Sequence, residues 1–167
     1  MENKITHSDL KQYFGQAFRK EREMLSEEIR DDHFSQFLLQ GENLAQKYKK
    51  SLDSYFGGNY EIVKCEEQIF EDVTEYGGNP FKFKGYIDLV VKKDDKYHIL
   101  DWKTCSWGWD AKKKADKMIV YQLIYYKYYY AIKHGIDPNK IECHFGLLKR
   151  TAKRNEIELF KVTSGKR

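Results

Sequence analysis

The sequence predicts an α/β fold of the α+β type, in which a mixed central sheet is flanked by helices. Helical spacing of apolar residues fills the first third of the chain and one later segment. Short β-rich runs bounded by turn residues fill the middle and the end. The resulting order is two helices, three strands, one helix and two strands, an order that favours a single layered domain.

Three long helices are expected. The first runs from Ser8 to about Arg30, and the second runs from about Asp32 to a stop at Gly57-Gly58. The third runs from about Ala115 to His134 and is ended by Gly135, because glycine adopts the left-handed conformation that closes many helices.

Five strands are expected, and turn residues separate them. Gly77-Gly78-Asn79-Pro80, Asp94-Asp95 and Thr151–Asn155 are the turns within the strand groups. The strands are Tyr60–Asp72, Phe81–Lys92, Lys96–Thr104, Ile141–Lys149 and Glu156–Thr163.

Length and composition predict one domain over residues 1–167, with an N-terminal helix over 1–31 and a core over 32–163. The 41% hydrophobic content supplies one core and excludes intrinsic disorder. No apolar stretch is long enough to span a membrane, and the amino terminus is polar, so we expect a cytoplasmic protein without a membrane partner. Three isolated cysteines fit neither a disulfide framework nor a thiolate metal site.

Charge is distributed unevenly along the chain, although the net charge is only +4. Residues 1–75 hold 10 basic and 16 acidic side chains, whereas residues 76–167 hold 20 basic and 10 acidic ones. The second half therefore favours a polyanionic partner, with a lysine-rich solvated surface as the alternative.

Two aspartates on neighbouring strands are the strongest candidates for chemistry. A two-residue turn at Asp94-Asp95 pairs Lys93 with Lys96 and places Asp88 directly opposite Asp101, with Cβ atoms roughly 4.5–5.5 Å apart. Like charges facing each other among apolar neighbours destabilise a sheet, and a divalent cation removes that repulsion. Oxygen ligands suit Mg²⁺ or Mn²⁺.

Lys103 lies two residues after Asp101 and therefore projects from the same face of its strand. An ammonium group there can stabilise charge that develops on an attacked phosphate. The alternative is an ordinary surface hairpin with an ion-paired lysine.

These residues resemble the motifs of the PD-(D/E)xK nuclease superfamily, and specifically its RecB-like branch. The carriers are Gly85-Tyr86-Ile87-Asp88, then Asp101-Trp102-Lys103-Thr104, then Gln122 and Tyr126 on the next helix. The branch includes mitochondrial genome maintenance exonuclease and phage-encoded single-domain exonucleases, and the latter are the nearer likeness. The resemblance implies a restriction-endonuclease-like αβββαβ core.

The resemblance also implies roles for residues. Asp88, Asp101 and the backbone carbonyl of Trp102 would be metal ligands, and Lys103 would be the catalytic lysine. Gln122 and Tyr126 lie four apart on one helical face and would help to position DNA; the alternative is a core-facing stripe.

One departure concerns a metal-binding histidine that the branch places four residues after a helix glycine. Here Ala45 occupies that position after Gly41. Glu42 is the substitute ligand that we predict, with His33 and Glu67 as weaker candidates and a solvated glutamate as the alternative. Iron–sulfur variants of the family use four cysteines, so we expect no cluster with three.

A basic and aromatic segment follows the catalytic strand. Lys112, Lys113, Lys114 and Trp107 are predicted to contact DNA, because lysines bind phosphates and an exposed ring can stack an unpaired base. A second basic cluster spans Lys149 to Arg154. Such runs are otherwise solvated loops.

The residues and the resemblance together predict a Mg²⁺- or Mn²⁺-dependent DNA exonuclease that hydrolyses phosphodiester bonds in DNA degradation, replication or recombination. The resemblance also implies that it is phage-encoded. The small size leaves little room for a sequence-reading module, which favours cleavage from ends. The alternatives are a structure-specific endonuclease and a non-catalytic DNA-binding recombination accessory protein.

Overall fold

A computed structural model describes residues 7–26, 29–76 and 79–163. Its helices are α1 His7–Met24, α2 Asp31–Phe56, the short α3 Ala111–Lys114 and α4 Lys117–His134, with a 3₁₀ turn at Pro138–Lys140. Its strands are β1 Glu61–Tyr76, β2 Asn79–Lys93, β3 Lys96–Cys105, β4 Ile141–Lys149 and β5 Ile157–Val162. No helix among these residues is both long and apolar enough to cross a membrane.

The five strands form one mixed sheet in the order β1-β2-β3-β4-β5. Neighbouring strands are antiparallel except for β3 and β4, which are parallel and are joined by the crossover through α4. The predicted fold class, a mixed sheet flanked by helices, is confirmed.

Two apolar clusters hold helices to opposite faces of this sheet. On one face α4 packs through Leu123 and Tyr130 onto Ile87, Ile99 and Phe145. On the other face α2 packs through Leu52 and Phe56 onto a second set of buried strand residues, Leu89, Val91 and Leu100. α4 and α2 therefore lie on opposite faces of the sheet.

The first helix ends earlier than its apolar spacing predicts, at Met24 instead of about Arg30. The chain turns where the Leu25 amide donates to the Arg22 carbonyl, and the Arg22 guanidinium donates to the Ile29 carbonyl and pairs with Asp31. These contacts lie where α1 ends and α2 begins. Phe18 stacks on Phe34 and holds α1 to α2.

The β1–β2 hairpin is longer than predicted. Asn79 and Pro80 are predicted to lie in a turn, but they belong to β2. Strand pairing continues beyond the Val73–Phe81 pair to the Tyr76–Asn79 pair. Gly77 and Gly78 lie outside the described residues.

The helix after β3 is divided by two capping aspartates. Asp110 accepts the Lys113 amide and begins α3, and Asp116 accepts the Met118 amide and begins α4 at Lys117 instead of about Ala115. Its predicted end is confirmed, because Gly135 is left-handed, with φ of 63°.

Candidate active site

The β2–β3 hairpin has the predicted register. Lys93 pairs with Lys96, and the ladder continues to Leu89 with Leu100. The next position along both strands is Asp88 with Asp101, where the regular ladder between β2 and β3 stops. The two aspartates therefore lie where the strands begin to separate.

The backbone of β2 is irregular at Asp88. Ile87 packs in the cluster beneath α4, whereas Leu89 packs in the cluster beneath α2, so one residue between them breaks the alternation. On β1 the residue between those that pair with Ile87 and Leu89 is Glu66, whose φ of 52° is unusual for a side chain other than glycine. Asp88 Oδ2 accepts the backbone N–H of Trp102 at 2.6 Å. The carboxylate thus occupies the opening between the two strands.

Asp101 is buried, with 3% of its surface exposed. Its Oδ2 forms an ion pair with Lys103, whose Nζ lies 2.7 Å away, and no other described group donates a hydrogen bond to this oxygen. Burial raises the pKa of Asp101, the Lys103 ammonium opposes that rise, and the charge of Asp88 adds to it. A buried carboxylate with one lysine as its described partner, next to a second carboxylate, suits a bound cation.

A chain of contacts joins Lys103 to α4. Lys103 Nζ donates to Gln122 Oε1 at 3.1 Å, and Gln122 Nε2 donates to the Tyr126 hydroxyl at 3.1 Å. A Cβ built on Gly85 would lie 2.5 Å from Tyr126 Cε1, so glycine leaves the space for this ring. Three motifs that are distant in sequence, including the Gly85 segment, therefore meet at one place.

Trp102 fixes the strand between the two charged residues. Its ring lies 5.0 Å from that of Tyr48 on α2, and a Cβ built on Gly146 of β4 would lie 2.1 Å from it. Burial raises the pKa of Tyr48, and the charge of nearby Asp88 contributes to that rise. Trp102 therefore packs against the helix and the next strand while Asp101 and Lys103 point to the α4 side.

Comparison with known families decides the relationship. The model of the PD-(D/E)XK nuclease superfamily matches residues 4–158. The chain belongs to the PD-(D/E)XK nuclease superfamily. Nucleases of this superfamily use divalent metal ions and act on nucleic acid.

No curated protein matches the chain. The crystal structure of SSO0001 is similar over 91% of this chain and 76% of that one, with 14% identity and a TM-score of 0.43.

Glu42, the predicted helix ligand, lies beside basic residues of α1. The Glu42 carboxylate faces α1, where Arg19 lies 3.6 Å and Lys11 3.9 Å away. Glu67 instead accepts from Lys133 and His134 of α4, and His33 is exposed. Glu42 is thus ion-paired with basic residues of α1, and Glu67 is ion-paired with basic residues of α4.

The basic segment of the nuclease is not uniform. Lys114 pairs with Glu158 and lies 4.8 Å from the centre of the Phe160 ring, while Lys113 lies 5.1 Å above Trp109. Lys112 is exposed, and so is Trp107, at 76%. In the second cluster Lys149 is buried and pairs with Glu158.

One polar cluster was not singled out by sequence reasoning. His98, Glu142 and His144 lie together beneath α2, with ligand-type atoms all within 4.8 Å of one another. The only signal in the sequence is the alternation of Glu142 and His144, which puts both on one face of a strand. Their neighbour His98 comes from β3, and only the parallel register reveals it.

Proposed function

We propose that this nuclease is a metal-dependent DNA exonuclease of the RecB-like type, with Asp88, Asp101 and Lys103 at its reactive centre. The observation that carries the proposal is the single constellation formed by the Asp88 bond to Trp102, the Asp101–Lys103 ion pair and the Gln122–Tyr126 contact. A DNA-binding protein without catalysis needs no buried carboxylate beside a second one.

The ion would be held by Asp88, Asp101 and the carbonyl of Trp102. In a strand the N–H and C=O of one residue point to the same edge, so the Trp102 carbonyl lies on the side where its N–H meets Asp88. Bound Mg²⁺ or Mn²⁺ supplies a more acidic water and polarises the phosphate.

The residues of the chain supply the remaining functions. Lys103 stabilises the negative charge that develops on the attacked phosphate, and Gln122 holds its ammonium in place. Tyr126 fixes the Gln122 amide and therefore acts as a positioning residue. Exposed Lys112 and Trp107 contact the DNA backbone and an unpaired base.

The test is cleavage of end-labelled linear DNA by the full chain with Mg²⁺ or Mn²⁺, with EDTA as the blank. Asp101→Asn should abolish turnover, and Lys103→Ala should lower the rate of cleavage by about 10²–10³ while DNA affinity in Ca²⁺ is kept. Asp94→Asn changes an exposed turn carboxylate and serves as the matched control. Unchanged cleavage by Asp101→Asn would contradict the proposal.

The preference for ends is tested with closed circles. Linear DNA should be shortened progressively from a terminus while covalently closed circles survive. Rapid nicking of supercoiled or circular single-stranded DNA would favour the structure-specific endonuclease, and binding without cleavage would favour the accessory protein.

A further inference from the structure

We propose that His98, Glu142 and His144 form a second metal site, specific for a borderline transition ion such as Zn²⁺ or Co²⁺ and separate from the nuclease centre. The site lies on the α2 face of the sheet, whereas Asp101 and Lys103 are turned to α4. The two sites also differ in chemistry, because imidazole nitrogens suit transition ions and carboxylate oxygens suit Mg²⁺.

The two imidazoles already face each other through ligand atoms. His98 Nδ1 lies 2.9 Å from His144 Nε2, a distance at which one nitrogen donates the single shared proton and the other accepts it. With Zn–N bonds of about 2.0–2.1 Å and tetrahedral angles, two nitrogen ligands lie roughly 3.3 Å apart. An ion can therefore replace the shared proton after a shift of a few tenths of an ångström.

Glu142 offers the third ligand atom. Its Oε1 accepts from Lys96 at 2.6 Å and is 2.9 Å from Lys161, while its Oε2 is turned toward His98 Nδ1 at 3.8 Å. One oxygen is thus held by two lysines and the other faces the imidazoles. Lys96 donates to Oε1 and thereby directs the other oxygen inward, while the positive charges of both lysines keep the carboxylate ionised.

Tyr55 of α2 orients the second imidazole. Its hydroxyl lies 2.9 Å from His144 Nδ1, the nitrogen that does not face His98. The hydroxyl donates when Nε2 carries the proton, and it can accept from Nδ1–H when Nε2 binds an ion. Such a bond to the outer nitrogen is the usual way in which a metal-binding histidine is oriented.

The protonation states at neutral pH agree with this geometry. Burial lowers the pKa of His98, and burial together with His98 lowers that of His144 to about 3. Although burial alone would raise the pKa of Glu142, Lys96 and Lys161 bring it to about 2. Two neutral imidazoles and one carboxylate are the forms that bind an ion.

The test titrates the full chain with Co²⁺ and Zn²⁺ in excess Mg²⁺, which occupies an oxygen-ligand site. Co²⁺ should bind one ion per chain with the visible absorption of a low-coordinate nitrogen and oxygen site, and Zn²⁺ should displace it. Glu142→Gln should weaken binding at least about tenfold, and His98→Gln should abolish it.

Lys161→Gln gives a result that a merely structural cluster would not give. It removes a positive charge beside Glu142, so it should tighten Co²⁺ binding severalfold and leave nuclease activity unchanged. His33→Gln alters an exposed histidine and is the matched control, and a thermal melt verifies the fold of each variant.

Three outcomes would overturn the proposal: no Co²⁺ binding in excess Mg²⁺, binding unaffected by Glu142→Gln, or binding weakened by Lys161→Gln. None of them bears on cleavage by the aspartate pair, so the two proposals fail independently.

Discussion

Asp101 is ionisable and buried, so its protonation links the stability of the fold to pH. Its raised pKa means that the folded protein holds a proton there at pH values where the unfolded chain has lost it. Stability is therefore lost as the pH rises from the ordinary value of 3.8 through the raised pKa, and the loss persists at neutral pH.

Asp101→Asn should accordingly raise the melting temperature in EDTA at neutral pH, by about 2–4 °C for each kcal/mol of burial cost removed. Below pH 3.8 the two proteins should melt together, and Mg²⁺ should stabilise the wild type more than the variant. A lower melting temperature for the variant at neutral pH would mean that the Lys103 ion pair outweighs burial. Thermal unfolding followed by circular dichroism makes the measurement.

Gly85 is required because the Tyr126 ring lies against its backbone. Gly85→Ala forces its new methyl group against Tyr126, so stability should fall by about 1–3 kcal/mol, and cleavage should fall because Gln122 loses its fixed partner. Gly85→Ala with Tyr126→Leu should recover stability without recovering cleavage. Denaturant unfolding and initial cleavage rates separate the two effects, and a fully active Gly85→Ala would disprove the coupling.

At the scale of elements, α3 carries lysines that are adjacent in sequence but differ in surroundings. Lys114 is tied to Glu158 on β5, whereas Lys112 is exposed. Sequence alone makes them equivalent, because nothing local indicates that β5 returns beside α3.

Lys112→Ala should therefore lower DNA affinity and reduce the salt slope by up to about 0.7–0.9, and Trp107→Ala should cost about 1–3 kcal/mol of binding. Lys114→Ala should instead lower stability by no more than about 1 kcal/mol and change DNA affinity less. Salt titrations of binding in Ca²⁺ decide this. Equal losses of DNA affinity in Lys112→Ala and Lys114→Ala would mean that these lysines act as a uniform basic surface.

The hairpin geometry was predictable and the details at its open end were not. A two-residue turn fixes register, so pairing from Lys93–Lys96 to Leu89–Leu100 followed from the sequence. The direct opposition of Asp88 and Asp101 did not appear as a ladder pair, because Asp88 takes the Trp102 amide in place of a cross-strand partner. A hydrogen bond from a backbone N–H to a side chain does not change the spacing of apolar residues, so the sequence pattern cannot reveal it.

For the whole molecule, the order and type of the strands and long helices followed from periodicity, while the contacts between distant elements did not. The contacts of Glu42 with Arg19 and Lys11 of α1, for example, have no signal in the sequence around Glu42. The histidine pair depends likewise on β3 lying parallel to β4.

Acid should destabilise the whole molecule through that pair. His144 is neutral in the folded state, with a pKa near 3, whereas an unfolded histidine titrates at 6.5. Stability is full above pH 6.5 and is lost as the pH falls toward 3, because the unfolded chain takes up the proton first. The fall in the urea midpoint of the metal-free protein across this range should be smaller in His144→Gln than in the wild type, and equal falls would contradict the burial of neutral His144.

The close fit of Trp102 over Gly146 has a consequence for the evolutionary record. The Trp102 ring occupies the volume that any side chain at position 146 would need. Trp102 itself lies between Asp101 and Lys103 in the sequence. In an alignment of homologous chains the two positions should covary: a large aromatic at 102 should occur with glycine at 146, and alanine or serine at 146 should occur with a smaller residue at 102. Lineages that changed one position first would have passed through an intermediate with a displaced β3, so the paired change should be rare and confined to deep branches.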